Sequence, residues 1–180
     1  MKAFFEYLNS PEMLSYFSSN RVFLILAVLI ISSLKHQAYK SMWLAMLINL
    51  PGTFLHECAH FLVGLFLWAK PVRFSLLPKK SGDCYVMGQV GFANLRFYNA
   101  LPSALAPLLL LFLAFYLNEK FFSFFQLSFG SYLLYIFAMT LLIENSMPSA
   151  TDFKQGFHFF SGVILYVGLA ISAAALYLNL

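Results

Sequence analysis

Two histidines stand four residues apart in "TFLHECAHFLVG", Thr53 to Gly64, and a glutamate directly follows the first. On an α-helix, residues i and i+4 share a face, so His56 and His60 present both imidazoles to one point, with Glu57 beside them. Neutral imidazole is a common zinc ligand. At this spacing the intervening glutamate acts as general base to a zinc-activated water and does not bind the metal. The plainer reading is a structural hydrogen-bonded cluster. It is the weaker one, because three ionisable groups inside an apolar run are costly to place there without a function. Cys58, between the ligands, points to another face and reads as packing.

A catalytic zinc takes three protein ligands and keeps a further position open. The chain has two aspartates, Asp83 in a turn-like stretch and Asp152 in the polar, proline-containing "ENSMPSATDFKQGF". Asp152 is the expected third ligand, with Glu144 and His158 as fallbacks. An acid near a helix N-terminus is the competing role for Asp152, and the two are compatible.

These groups sit in a chain of 180 residues that is 61% hydrophobic and 10% charged, with 22 Phe. Such a composition excludes an ordinary water-soluble domain. Its long apolar runs approach or exceed the roughly 20 residues that cross a bilayer core. The expectation is an all-α polytopic membrane protein, a single domain over residues 1–180, with about five transmembrane helices and a small β-hairpin between spans two and three. The 11 basic residues are scattered between apolar runs and form no basic face, which argues against nucleic acid. With Cys58 in a span and Cys84 in a loop, no disulfide framework is expected.

Residues 1–20 read as an interfacial segment, with "SPE" at Ser10 to Glu12 supplying an N-cap, a first-turn proline and a first-turn acid. Span one carries Arg21 to Leu34 and begins near Met13 or Leu14. Span two runs from Met42 to Ala69, with a kink or break expected at Pro51 and Gly52. Residues 70–99 read as a membrane-surface hairpin: "VRFSLL", a turn at "PKKSGD", then a strand from Tyr85 to Phe92 whose edge could hold an extended substrate. Span three covers about Leu101 to Leu117 and span four about Phe121 to Ile143, starting later if Gly130 divides it. A polar break precedes the last helix, Phe157 to Leu178. The N-terminus, the hairpin loop and the 144–156 loop hold eight Lys and Arg and the opposite side three, so the first set faces the cytoplasm and the C-terminus lies outside.

"HECAH" in an apolar span, a surface hairpin, further spans and then "NSMPSATD" resembles the site-2 protease family of intramembrane zinc metalloproteases. The order of elements matches from about Leu50 to Leu165. The resemblance implies Zn2+ bound by His56, His60 and Asp152, Glu57 as general base, and Asn145 and Pro148 shaping the substrate-binding region. It also implies a transmembrane protein as substrate, the lipid bilayer as setting, and a cytoplasmic hairpin, the side that the charge count reached independently. The family's second motif is Asn-x-x-Pro followed by Asp-Gly. Here three residues separate Pro148 from Asp152, Phe153 follows the aspartate, and "SALAPLLL" in the third span lacks the family's asparagine. The implied protein is a minimal, divergent member without a PDZ or CBS domain.

Two other readings use the same residues. One is a catalytically silent relative that binds other membrane proteins. The other is a transporter relaying metal ions or protons through His56, Glu57 and Asp152. The intact Glu57 speaks against the first, and the lack of paired halves against the second.

Overall fold

Apolar periodicity dominates the chain, and helix is what it forms. A computed structural model describes residues 2–19, 21–38, 41–77, 79–81, 84–86 and 88–178. Nine α-helices and four short strands are assigned among them. Two helical stretches, Ala106–Phe124 and Phe160–Tyr177, are long and apolar enough to cross a membrane, and Phe129–Glu144 is apolar but shorter. The chain divides into two compact units, Met1–Gly52 with Leu111–Glu144, and Thr53–Leu110 with Asn145–Leu180.

The first unit holds α1 (Lys2–Leu8), α2 (Pro11–Ser19), α3 (Arg21–Ala38), the start of α4 (Met42–Phe66), most of α6 (Leu109–Phe124) and all of α7 (Phe129–Glu144). The "SPE" signal is realised at α2, where the Ser10 hydroxyl accepts from the Met13 N–H at 3.4 Å. The run expected as one span from Met13 is divided between α2 and α3, with residue 20 outside the described residues. Helix α3 packs on α7, and the Ser32 hydroxyl donates to the Glu144 carboxylate. In the run expected as span four the helix starts at Phe129, where Ser128 and Ser131 cap one another, each hydroxyl accepting from the other's N–H. Gly130 therefore lies in the first turn of α7 and does not divide it.

Of the kink or break expected at Pro51 and Gly52, the break does not occur: α4 is helical from Met42 to Phe66 with Pro51 inside it. A proline removes a single i→i−4 bond, and the bonds of neighbouring turns carry the helix past it. Helix α4 ends at Phe66, and the chain turns at Trp68 and Lys70, the non-glycine residues of positive φ among those described (59° and 52°). The reversal is held by Ala69 N–H to the Gly64 carbonyl and by the fully buried Asn99, whose amide donates to the carbonyls of Leu67 and Asn94.

The second unit continues into the expected surface hairpin, which is built in two rungs. Strand β1 (Pro71–Ser75) pairs antiparallel with β4 (Gln89–Phe92), and β2 (Lys79–Ser81) with β3 (Cys84–Val86). Asp83 lies outside the described residues. The strand expected from Tyr85 to Phe92 is therefore two strands, and Gly88 between them has φ +81°, a conformation that stops a regular strand. The third span likewise begins late. Helix α5 (Ala100–Ala104) and a 3-10 turn at Ala106–Leu108, with Pro107 in its first positions, precede α6. The polar segment before the last span is itself a helix, α8 (Ala150–Phe157), packed on α5 and followed by α9 (Phe160–Tyr177). Gly162 of α9 sits against the Phe97 carbonyl, and the Tyr166 hydroxyl donates to the Tyr98 carbonyl.

Candidate metal centre

His56 and His60 project from one face of α4, their rings edge to face with centroids 4.9 Å apart and Nε2 atoms 3.2 Å apart. The other nitrogen of each ring is tied to a backbone carbonyl. His56 Nδ1 lies 2.8 Å from the Asn145 oxygen, and His60 Nδ1 lies 2.7 Å from the Ser103 oxygen. A carbonyl only accepts, so each Nδ1 carries a proton and donates. In the neutral ring the Nε2 lone pair then faces the common point.

Asp152 reaches the same point from α8. Ser149 caps that helix reciprocally: its hydroxyl accepts from the Asp152 N–H at 3.2 Å, and its own N–H donates to Asp152 Oδ2 at 2.7 Å. The carboxylate, fixed by this box, places Oδ2 3.5 Å from His56 Nε2 and Oδ1 3.3 Å from His60 Nε2. The capping role and the ligand position thus coexist in one side chain. Burial works against ionisation of Asp152, but when Nε2 of His56 and His60 is protonated those groups hydrogen-bond the carboxylate and hold the carboxyl well below the usual carboxylate range.

The three separations, 3.2, 3.3 and 3.5 Å, test the fit of a metal. A tetrahedral ion with ligand bonds of about 2.0–2.1 Å keeps its ligand atoms about 3.3–3.4 Å apart. One ligand atom from each of the three residues lies within 4.8 Å of the others, close enough for the group to hold a metal ion. Two imidazole lone pairs and a carboxylate facing one another at this range repel unless a proton or a cation lies among them. His56, His60 and Asp152 are the group able to hold a metal among the described residues. Neither fallback ligand is a member of this group. Glu144 takes the Ser32 hydroxyl, and His158 closes the end of α8 edge-on to Phe159.

Glu57 is buried, 6% exposed, on the same helix. The hairpin comes down over it. A Cβ built on Gly88 would lie 2.5 Å from Glu57 Oε1 and 2.6 Å from Thr53 Cγ2, so at this close approach only glycine fits. The main-chain N–H of Val90, two residues on, is near enough to interact with the Glu57 carboxylate. Asn145 contributes its backbone carbonyl to His56, and Pro148 is buried between Asn145 and α8.

Sequence reasoning missed Ser103, because its carbonyl acts there and a carbonyl leaves no trace in residue type, and missed Gly88 because only the fold brings it against Glu57. The Ser-x-x-Asp of "SATD" is a readable capping box, and it would have located α8.

Comparison of the chain with protein-family models, with curated proteins and with solved structures finds no match. Its class therefore rests on its own features. It is a mostly helical protein with two helices long and apolar enough to cross a membrane and a His/His/Asp group able to hold a metal ion.

Proposed function

We propose that this chain is a multi-pass intramembrane zinc metalloprotease of the site-2 protease type, cleaving peptide bonds in or near transmembrane segments of other membrane proteins. The observation that carries the reading is the convergence of His56 Nε2, His60 Nε2 and the Asp152 carboxylate, both Nδ1 protons being held by carbonyls, with buried Glu57 alongside. Support for the membrane comes from burial. Only 6% of the Phe160–Tyr177 window and 22% of the Ala106–Phe124 window lie inside the protein, so these apolar helices are not core helices and need an apolar surrounding. In this reading α3, α4 and α7 complete five spans, the hairpin and the 144–156 loop face the cytoplasm, and the C-terminus lies outside.

His56, His60 and Asp152 would hold a zinc ion, which would supply Lewis acidity and a water of lowered pKa. Glu57 takes the proton as the water oxygen adds to the scissile carbonyl carbon. It returns that proton to the amide nitrogen as the C–N bond breaks, leaving a carboxyl and an amine. The Val90 N–H is near enough to steady the Glu57 carboxylate. Strand β4 pairs with β1 on one side and turns Val90 N–H toward Glu57, so an extended substrate finds its edge of main-chain groups beside the base. In this reading Asn145 and Pro148 shape the substrate-binding region.

The test is zinc content per chain in detergent-purified protein, followed by incubation with transmembrane peptides. About one zinc in the wild type, lost in His60→Ala and Asp152→Ala, with hydrolysis abolished in Glu57→Gln, is the expected outcome. Folded wild-type protein without zinc overturns the proposal and leaves the silent binding protein in its place.

A further inference from the structure

Helix α5 supplies no ligand, yet two of the three ligands are placed against it. His60 is fixed through its Nδ1–H by the Ser103 carbonyl at 2.7 Å. Asp152 is carried by α8, which packs on α5. The contact is made by Gly156, four residues after Asp152 and so on the same face of α8. Gly156 is buried, and a Cβ built on it would lie 2.8 Å from Ala104 Cβ and 3.3 Å from Leu101 Cδ1. Ala104 follows Ser103 directly, and both are almost wholly buried.

We infer that Leu101, Ser103 and Ala104 of α5 form a template that sets the metal geometry: the Ser103 carbonyl orients His60, and the Gly156–Ala104 contact sets the height of Asp152 above the two histidines. Gly156 and Ala104 are positioning residues, acting through Asp152. The reason is mechanical. Helix α8 has eight residues and is tied at its start by the Ser149–Asp152 box, so a methyl at Gly156 tilts or lifts the whole short rod. The ligand oxygens stand 3.3 and 3.5 Å from their neighbours, and a displacement of a few tenths of an ångström spoils that spacing. The motif search finds the ligands, but this contact decides whether they meet.

The inference rests on the metal reading of His56, His60 and Asp152, and the experiment separates the two. Zinc affinity is measured by chelator competition in the full chain in detergent, and cobalt(II) replaces zinc for a ligand-field absorption spectrum. Four proteins are compared: wild type, Gly156→Ala, Ala104→Gly, and Gly156→Ala with Ala104→Gly. Expected is a zinc Kd about 10–100-fold weaker in Gly156→Ala, the range for disturbing groups that orient metal ligands, with an altered cobalt spectrum. The double variant, which removes the facing methyl, recovers both. A Gly156→Ala protein that binds zinc as the wild type does overturns the inference and leaves the metal site standing. A double variant that stays weak overturns it also, because the loss then does not run through Ala104. A wild type without zinc overturns both readings together. Should Gly156→Ala fail to fold, Ala104→Ser crowds the same contact from the α5 side, and unchanged affinity there counts against the template.

Discussion

His60 and Ser103 are 43 positions apart in the chain, and the Nδ1–H of the first donates to the carbonyl of the second at 2.7 Å. Neither the serine side chain nor its chemistry takes part. The bond fixes which ring nitrogen carries the proton, and so which lone pair faces His56 and Asp152.

Ser103 is therefore expected to be replaceable. Its hydroxyl is buried and has no hydrogen-bond partner among the described residues. Ser103→Ala keeps the carbonyl and should retain zinc, with thermal stability equal to the wild type or higher by up to about 1 kcal/mol. A thermal melt with parallel zinc analysis checks this, and a clear loss of stability would mean that the hydroxyl has a partner such as a buried water.

The ligands and the base should separate cleanly. His56→Ala, His60→Ala and Asp152→Ala each remove a metal donor and should lose zinc. Glu57→Gln should keep zinc while hydrolysis falls about 10²–10⁴-fold, the usual contribution of a general base. Metal analysis beside a peptide-cleavage assay distinguishes them, and zinc loss in Glu57→Gln would make that residue a ligand.

Gly88 offers a change outside the metal's donors. Alanine there meets Glu57 Oε1 and adopts a φ of +81°, so Gly88→Ala should cost roughly 1–2 kcal/mol of stability. It should also lower cleavage with zinc still bound. Val90→Pro, which deletes the N–H near Glu57, should do the same. Unchanged cleavage in both would remove the hairpin from the catalytic arrangement.

Proton release on metal binding has a defined sign. The Asp152 carboxyl is held below the usual range while the facing imidazoles are protonated, so it is already ionised when zinc displaces those protons and adds none of its own. The imidazoles are the source, since each must be neutral to offer Nε2. Zinc affinity should therefore fall as pH is lowered and protons compete for Nε2. Calorimetry in buffers of different ionisation enthalpy should count up to two protons released, more at lower pH than at higher.

The candidate site was partly readable without the structure, and what was readable was local. The i, i+4 spacing of His56 and His60 and the glutamate between them are consequences of helix geometry alone. The SPE cap of α2 and the two-sided pattern of the hairpin are local as well, and all of these appear. What failed was also informative. Pro51 reads as a kink or break, yet one missing hydrogen bond does not end a helix that its neighbours continue. The polar "ATDFKQGF" reads as a connector, yet it is helical because Ser149 and Asp152 satisfy its first N–H groups and Gly156 lets it lie on α5.

By itself the sequence determined the kind of chemistry available. Two imidazoles on one helical face, one glutamate between them and a scarce aspartate downstream follow from residue type and a period of 3.6. The tertiary structure alone decided that Asp152, and neither Glu144 nor His158, completes the group. It also decided which nitrogen of each histidine is free to bind. Those outcomes depend on the carbonyls of Asn145 and Ser103 and on a glycine–alanine contact between two short helices. Main-chain groups are the same in every residue, so only the path of the folded chain can assign them a role.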